Sequence, residues 1–488
     1  MLVINEKQLP SLFLPIDDIS EAISVLQQEL NGLKSTVSDQ QVEISGLYRR
    51  LDRKDQEIQQ LKRDNKDLYD RLSHYEHPPK DSHNSHIPPS KDSLSSQGIK
   101  RTQTLREKSG RNSGGQTGHG GTTLSFSSTP DVIEKHIAEY CQHCGEQLSG
   151  VVAQELERRQ VIDLPNIQPV VLEHRIYAKQ CSCGFLNKGA FPSPARSRVC
   201  YGFNLRAMVA YLSTVQSIPY KRLCEVLRDC FHIELSQGTV NNILASMKSS
   251  SNDMYKEIRS RVAQSPVVGA DETGVSVKGR SQWAWTFQTD KLTYLYQDQS
   301  RGKIAIDKHF QNGLAQSVLV TDRYASYFSM PVKEHQICLA HLLRELTYLS
   351  QLNNKQDWSV GLLQLFREAI HKRKTMTWET IPRKILFERL DELLNRSLHR
   401  LHEDFQKLHR SLLKHRDNIF RFLSNPGIPY DNNASERAMR IVKIKHKVSG
   451  CFRSDAGADS FFQLLSIADT AKKNGLSRYR ALAEIAEL

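Results

Sequence analysis

The sequence predicts a multidomain chain in which α-helices are combined with a mixed β-sheet (α+β and α/β), and three patterns support this prediction. An apolar heptad repeat runs through residues 26–72, four cysteines stand in two close pairs, and apolar strands begin near residue 266. A chain of 488 residues is long enough for three or four domains, each with its own core. Because the three patterns require different kinds of packing, they indicate separate structural units.

The charge balance favours a polyanionic partner. The formal net charge is +13 at pH 7, which indicates nucleic acid before a membrane surface. No apolar run approaches the roughly 18 to 20 residues that a membrane span needs. The sequence therefore predicts a soluble, cytoplasmic protein that does not associate with membranes.

The heptad repeat predicts a coiled coil over residues 1–76. Most d positions of residues 26–72 are leucine, several a positions are β-branched, and the a position at Asn65 is polar. This combination favours a parallel two-stranded coiled coil, and pairs between g and e′ positions such as Glu29–Lys34 attract each other. A helix folded back on its own chain is the alternative. We expect a homodimer or a higher oligomer formed through this segment.

Residues 77–125 have the composition of a basic flexible linker. Proline pairs, serine clusters and the glycine-rich stretch 114–121 cannot bury enough apolar surface to fold. The second half of the segment is basic. It either lies along DNA phosphates or acts as a solvated tether.

The paired cysteines predict a zinc ribbon within residues 126–200. The two pairs, each followed by glycine, are formed by Cys141, Cys144, Cys181 and Cys183. Four thiolates suit tetrahedral Zn²⁺, and a set without an open position makes the metal structural. His143 and His174 are alternative ligands. The β-branched segments 159–164 and 169–177 predict strands between the pairs.

Residues 201–260 predict three helices. Pro219 opens the second helix and Ser236 caps the third. Two short helices, a turn and a capped third helix suit a helix-turn-helix, in which Lys221 and Arg222 are candidate phosphate contacts. A plain three-helix packing unit explains the same pattern.

The period changes to that of strands from residue 266. Residues 266–278, 282–288 and 292–297 predict three consecutive strands. Residues 317–322 form a continuous apolar run, which suits a strand buried on both faces in the middle of a mixed sheet. A long helical block over residues 338–425 follows.

Two aspartates close apolar strands in this region, and one glutamate heads a basic helix. An acid such as Asp271 or Asp322 at the end of a buried strand needs a partner or a cation. The Asp/Asn/Ser residues before Glu436 predict a helix N-terminus, followed by a basic run to Arg453. Taken singly, each of these acids could stand at its position because it starts a turn, caps a helix or lies on a solvated helix face. Together they form a candidate site of three carboxylates.

The helical block begins with Cys338 and His341 in a CxxH arrangement. These two side chains either form half of a metal site or pack the end of a helix as structural residues. The basic stretch 398–416 is either a solvated face or a surface for DNA.

With these motifs in place, the chain resembles the insertion-sequence 66 family of bacterial transposases over nearly its whole length. The resemblance is carried by the cysteine pairs, Ala270-Asp-Glu-Thr, Thr321-Asp-Arg-Tyr-Ala-Ser-Tyr, Cys338-Leu-Ala-His-Leu-Leu-Arg-Glu and Asn432-Asn-Ala-Ser-Glu-Arg-Ala-Met-Arg440. The linker departs from the family pattern because Gly114-Gly-Gln-Thr-Gly-His lacks two prolines. The resemblance implies an RNase H-like catalytic domain of the DDE type, formed by residues 261–337 and 426–488 around the helical insertion 338–425.

The resemblance also implies the chemistry of the three carboxylates. It makes Asp271, Asp322 and Glu436 the catalytic triad, which would hold two Mg²⁺ or Mn²⁺ ions per active site. Asp271 is then expected to bridge both ions, Asp322 to hold the first and Glu436 the second. The basic residues expected to bind DNA phosphates beside them are Arg437, Arg440, Lys443, Lys445, Lys447 and Arg453.

The function implied by the resemblance is DNA transposition in the bacterial cytoplasm, in association with the nucleoid. Such an enzyme cuts double-stranded DNA at the terminal repeats of its element and joins the 3′ ends to target DNA, with companion proteins of the same element as further candidate partners. A catalytically silent DNA-binding protein and an RNase H-like nuclease that cuts without joining are the alternatives. Metal-dependent joining of element-end DNA distinguishes the three.

Overall fold

The computed structural model describes residues 16–76, 120, 124–192, 195, 197–352, 357–399 and 401–488. Nearly all of the predicted linker 77–125 lies outside these residues. Within the described part of the chain, no helix is long and apolar enough to cross a membrane.

The N-terminal segment is a single long helix, α1, spanning Ile16–Glu76. Its 61 residues give a length of about 90 Å. In the single chain, apolar side chains at the a and d positions of the heptad repeat are exposed to solvent: Leu26 and Leu33 are each 64% exposed, and Ile58 is 47% exposed. The helix predicted here is confirmed, and its apolar stripe is the feature that a coiled coil would bury.

The two cysteine pairs lie in tight turns within residues 126–192. A short antiparallel pair, β1 (Ala178–Gln180) and β2 (Leu186–Lys188), flanks the second turn. The strands predicted at 159–164 and 169–177 are wrong, because the structure has no strand in either segment. The apolar side chains there are exposed and have no sheet to pack against among the described residues, so β-branched composition alone does not produce a strand.

Four helices follow, and the first three match the prediction. Their bounds are α2 (Phe203–Ala210, continuing as a π-helical turn, Tyr211–Val215), α3 (Tyr220–Phe231), α4 (Gln237–Ser250) and α5 (Asn252–Ala263). The Ser236 hydroxyl caps α4 by accepting a hydrogen bond from the Thr239 N–H at 3.0 Å. His232 ends α3 in the left-handed conformation, with φ of 54°.

A five-stranded mixed sheet forms the centre of this part of the chain. Its strands are β3 (Val267–Val277), β4 (Arg280–Gln288), β5 (Thr293–Asp298), β6 (Leu314–Thr321) and β7 (Val332–Ile337). Two short helices, α6 (Lys303–Asp307) and α7 (Ala325–Phe328), lie in the connections before and after β6. The strand order is β5-β4-β3-β6-β7; β3, β4 and β5 form an antiparallel meander, β6 runs parallel to β3, and β7 runs parallel to β6. The mixed sheet was predicted, whereas β7 was not.

The chain then leaves the sheet for a helical block and returns to it. The block contains α8 (Leu339–Leu352), α9 (Asp357–Thr375), α10 (Arg383–Leu394) and α11 (Glu403–Lys414), and the C-terminal helices are α12 (Asn433–Ser449), α13 (Asp455–Lys473) and α14 (Arg478–Glu487). Residues 338–425 are therefore largely helical, as predicted.

Two clusters of buried apolar residues in the described part of the chain join α2–α5 and the C-terminal helices to the sheet. The larger cluster joins Leu223 of α3 and Val240 of α4 to Trp285 of β4 and Leu482 of α14. The helices α2–α5 therefore share one core with the sheet. A second cluster packs α12 and α13 against β3–β5 and fixes the helix that carries Glu436 against the sheet.

Candidate active site

The parallel pairing of β3 and β6 brings Asp271 and Asp322 to the same level. The register pairs Gly269 with Val320, and the two aspartates lie two residues further along each strand. Parallel strands have their carboxyl ends at the same edge of a sheet, so the two side chains become neighbours there. Asp271 lies inside β3 instead of closing it as predicted, because the strand continues to Val277 in its hairpin with β4.

Asp322 is fixed by the turn that follows β6. Its Oδ1 accepts a hydrogen bond from the Tyr324 N–H at 2.9 Å. The Tyr324 hydroxyl in turn donates to the Arg301 carbonyl at 3.1 Å, and the Arg301 guanidinium lies 4.2 Å from the Tyr324 ring centroid and 4.6 Å from that of Trp283. The ring and guanidinium contacts thus hold the loop that presents this carboxylate.

Glu436 lies in the first turn of α12, and buried hydrogen bonds attach this end of the helix to β3. The Asn432 side-chain amide donates to the Ala270 carbonyl at 2.5 Å, and the Ser435 hydroxyl donates to Asn432 Oδ1 at 2.6 Å. Gly269 makes this approach possible, since a Cβ at this residue would lie 2.7 Å from the Asn432 Oδ1, Gln288 Nε2 and Ser435 Oγ atoms. The helix therefore starts beside the residue that precedes Asp271.

The Glu436 carboxylate contacts two residues of α8. Its Oε1 lies 3.6 Å from His341 Nε2 and 3.5 Å from the Arg344 guanidinium. The nearby Cys338 is fully buried, and its sulfur accepts a hydrogen bond from the Asn432 N–H at 3.1 Å. Burial raises the pKa of the Cys338 thiol to about 12, which keeps it protonated. The geometry favours the structural alternative for Cys338, in which it packs the start of a helix.

The three carboxylates interact electrostatically. Burial, together with the negative charges of Glu272, Glu436 and Asp322, raises the pKa of Asp271 to about 8, although Lys443 opposes this shift. Acids that repel one another in a buried site are stabilised either by protonation of one of them or by a nearby cation. Asp271 is therefore coupled electrostatically to both of the other predicted site acids.

Sequence reasoning missed Glu272, which follows Asp271 directly. Its side chain is 3% exposed; it forms an ion pair with Arg301 at 2.8 Å and accepts a hydrogen bond from the Tyr327 hydroxyl at 2.5 Å. Successive strand residues point to opposite faces of a sheet, so Glu272 faces away from Asp271 and Glu436. The alternation of side chains along a strand could have shown from the sequence that Glu272 lies on the other face of the sheet from Asp271 and has a structural role.

Across the described residues, no three Asp, Glu, His or Cys side chains lie close enough to share one metal ion. The cysteines are brought together only in pairs: Cys141 with Cys144, and Cys181 with Cys183. Backbone N–H groups of Cys144 and His143 lower the pKa of Cys141, and the N–H of Cys183 does the same for Cys181. Both turns thus favour thiolates, the form in which cysteine binds zinc.

Most of the predicted phosphate contacts are exposed. The exposed set comprises Arg437, Arg440, Lys443, Lys447, Arg453, Lys221 and Arg222. Lys445 is a correction: it is 6% exposed, and its Nζ donates to the carbonyls of Ser213 at 3.0 Å and Ile218 at 3.3 Å. It lies on the buried face of α12 and holds the π-helical turn, so it is not available to DNA.

The buried position of Lys445 predicts a pH dependence of stability. Burial lowers its pKa from 10.5 to about 8, so the unfolded chain binds this proton more strongly between those values. The contribution of Lys445 to the free energy of unfolding should therefore rise with pH in this window, by at most about 1.4 kcal/mol per pH unit. Urea unfolding of wild type and Lys445→Met between pH 8 and 10 measures it. A wild-type minus variant difference that does not change with pH would contradict the assignment.

Comparison with protein-family models shows to which family the chain belongs. A model described as "Transposase IS66 family" matches residues 198–460, more than half of the 488 residues. The chain belongs to the IS66 family of transposases. A second model, described as "zinc-finger binding domain of transposase IS66", matches residues 138–184 and includes the two cysteine pairs.

One curated protein is similar to part of this IS66-family chain. The uncharacterized protein y4jO of Sinorhizobium fredii is 35% identical to it over 88 residues, which are 18% of this chain and 27% of y4jO. The chain thus spans about a quarter of the length of the relative that it matches. The larger family match contains Asp271, Asp322 and Glu436 within one region.

Proposed function

We propose that this IS66-family chain is a DNA transposase that cuts DNA at the ends of its element and joins the 3′ ends to target DNA. The observation that carries the proposal is the approach of Asp271, Asp322 and Glu436 from β3, β6 and α12, close enough for their charges to interact. The mixed sheet, an antiparallel meander extended by two parallel strands, carries Asp271 and positions Asp322 beside it. Mg²⁺-dependent joining of element-end DNA tests it.

The donor set of the site fits Mg²⁺ or Mn²⁺. Carboxylate oxygens are the ligands these ions prefer. Burial and the repulsion from neighbouring acids raise the pKa of Asp271, and a divalent cation would relieve both effects by favouring the charged carboxylate. Asp271, Asp322 and Glu436 are the residues that would hold these ions. When bound, such ions activate the nucleophile and neutralise the leaving oxygen of a phosphodiester.

The residues of the chain itself orient the acids and hold the substrate. The Tyr324 N–H fixes Asp322, and Asn432 fixes the distance between α12 and β3. The contacts of Glu436 with His341 and Arg344 are long, so exchanging them for a cation costs little. The exposed cations of α12 then bind the phosphates of the strand that is cut.

Recognition of the element ends is assigned to the N-terminal half of the chain. Four thiolates at Cys141, Cys144, Cys181 and Cys183 hold a structural zinc ion in this proposal, in keeping with the zinc-finger family match over residues 138–184. The exposed first turn of α3, with Lys221 and Arg222, contacts phosphates beside α4.

The coiled coil brings two copies together so that two element ends are held at once. Replacing Leu47 and Leu51, at d and a positions, by aspartate should make the protein monomeric, because two charges per helix then face the apolar seam. Sedimentation velocity measures the change. Ser35→Asp, at an f position outside the seam, is the matched control and should leave the dimer intact. A double variant that remains dimeric would contradict assembly through α1.

A further inference from the structure

A shallow cleft of about 460 Å³ opens beside Arg323, the residue after Asp322. It lies between the loop that leads from β6 into α7 and the last turns of α11. The residues that line it are Arg323, Ala325, Phe328 and Ser329 on the side of the loop, and Arg410, Ser411, Lys414 and His415 on the side of α11. Its volume lies in the range of sites that bind small ligands or one unit of a polymer.

The cleft presents hydrogen-bond donors and two positive charges that form no ion pair with any described residue. Arg410 and Lys414 are exposed, and in the described part of the chain neither has a carboxylate within ion-pair distance. Ser411 accepts a hydrogen bond from Arg323 at 2.9 Å, which leaves the Ser411 hydroxyl hydrogen available to an acceptor. Arg323 itself pairs with Glu345. Two free cations and a hydroxyl donor suit an oxyanion.

Stacked rings form one side of the cleft and restrict what it can bind. Phe328 stacks on His335 with ring centroids 4.4 Å apart, and it also contacts the tilted ring of His415 at 4.2 Å. Burial lowers the pKa of His335 to about 4, and burial together with Lys414 and Arg323 lowers that of His415, so both imidazoles are neutral near pH 7. The Phe328 ring is therefore packed against two imidazoles of the protein itself. The chemistry of the cleft is that of a phosphate site.

We propose that this cleft binds a phosphate of the DNA backbone and guides the strand past the catalytic carboxylates. Arg323 directly follows Asp322, so a strand with a phosphate in the cleft passes beside the acids. The inference rests on the proposed function, which supplies DNA as the substrate class. It implies that the helical block 338–425 contributes to DNA binding. The carbonyl end of α11 disfavours an anion, so Arg410 and Lys414 must supply the attraction.

The test is the salt dependence of DNA binding by the full chain with Arg410→Ala and Lys414→Ala combined. Fluorescence anisotropy with a labelled element-end duplex, in the absence of divalent cations, measures affinity without chemistry. Each lost phosphate contact should lower the slope of log K against log salt by about 0.9. Because the cleft holds one phosphate, we expect a slope smaller by about 0.9 and binding about fivefold weaker at 0.15 M salt.

Two controls make the result specific to the cleft. Lys384→Ala removes an exposed lysine of α10 outside the cleft, and Arg410→Lys combined with Lys414→Arg keeps both charges; both should retain the wild-type slope. An unchanged slope in the double alanine variant, or an equal change in Lys384→Ala, overturns the proposal. Joining assays on the same preparations distinguish this proposal from the proposed function. If the wild type joins DNA but the double alanine variant keeps the wild-type slope, only the cleft proposal is rejected. If the double alanine variant has a reduced slope but the wild type does not join DNA, only the transposase activity is rejected.

Discussion

Replacing Asp271 by asparagine should abolish DNA joining and at the same time stabilise the fold. Joining should fall by more than about a hundredfold, because removing even an outer-shell partner of a metal site costs ten- to hundredfold. Stability measured without divalent cations should rise by about 1 to 3 kcal/mol, since asparagine removes a buried acid that is repelled by Glu272, Glu436 and Asp322. Strand-joining rates and urea unfolding measure the two effects.

The control for this variant is Asp307→Asn, which neutralises a partly exposed acid paired with Lys303 on α6. It should leave joining unchanged. An Asp271→Asn protein that joins DNA at the wild-type rate would exclude Asp271 from catalysis. A variant that loses joining because it unfolds would contradict the electrostatic account, which requires the opposite change in stability.

Adding a single methyl group at Gly269 should also have a large effect. The new Cβ would lie 2.7 Å from three side-chain atoms of the buried hydrogen-bond group that attaches α12 to β3. We expect Gly269→Ala to lower stability by about 1 to 3 kcal/mol, as overpacking does in a filled core. Joining should fall by about a hundredfold, because α12 and Glu436 must shift relative to Asp271.

Gly274→Ala on the same strand is the matched control. A Cβ added at Gly274 meets nothing within 4 Å, so thermal unfolding and joining should both match the wild type. If Gly269→Ala behaved like Gly274→Ala, the attachment of α12 to β3 through Asn432 would not position the site.

Local patterns identified the meander and the acids that converge on it. The apolar residues of β3–β6 alternate or run continuously along the sequence. The strands form where these patterns predict them because their apolar side chains pack into two buried clusters. Strand β7 was missed because Val332-Lys-Glu-His-Gln-Ile is mostly polar. It becomes a strand through its parallel pairing with β6, which a local pattern does not report.

Helical spacing could have corrected the prediction for Lys445. It lies three residues after Val442 and seven after Ala438, both buried, and therefore falls on the apolar face of α12. By composition alone it looked like a member of the basic run. The carbonyls of Ser213 and Ile218 that accept its hydrogen bonds come from a distant segment, so its partners could not be predicted.

The contacts of Glu436 were beyond sequence reasoning for a different reason. The sequence indicated three acids on two strands and a helix, and the strand register and the Asn432 hydrogen bond explain how distant segments meet. The pairing of Glu436 with His341 and Arg344 depends on how α8 packs beside α12. No local pattern determines that packing.

The central claim is tested most directly by incubating the full chain with element-end DNA, target DNA and Mg²⁺, and comparing wild type with Glu436→Gln. The account predicts that the wild type produces joined strands and that Glu436→Gln, folded and still bound to DNA, produces none. Joining by Glu436→Gln at the wild-type rate, or nicks without joined product from the wild type, would contradict it.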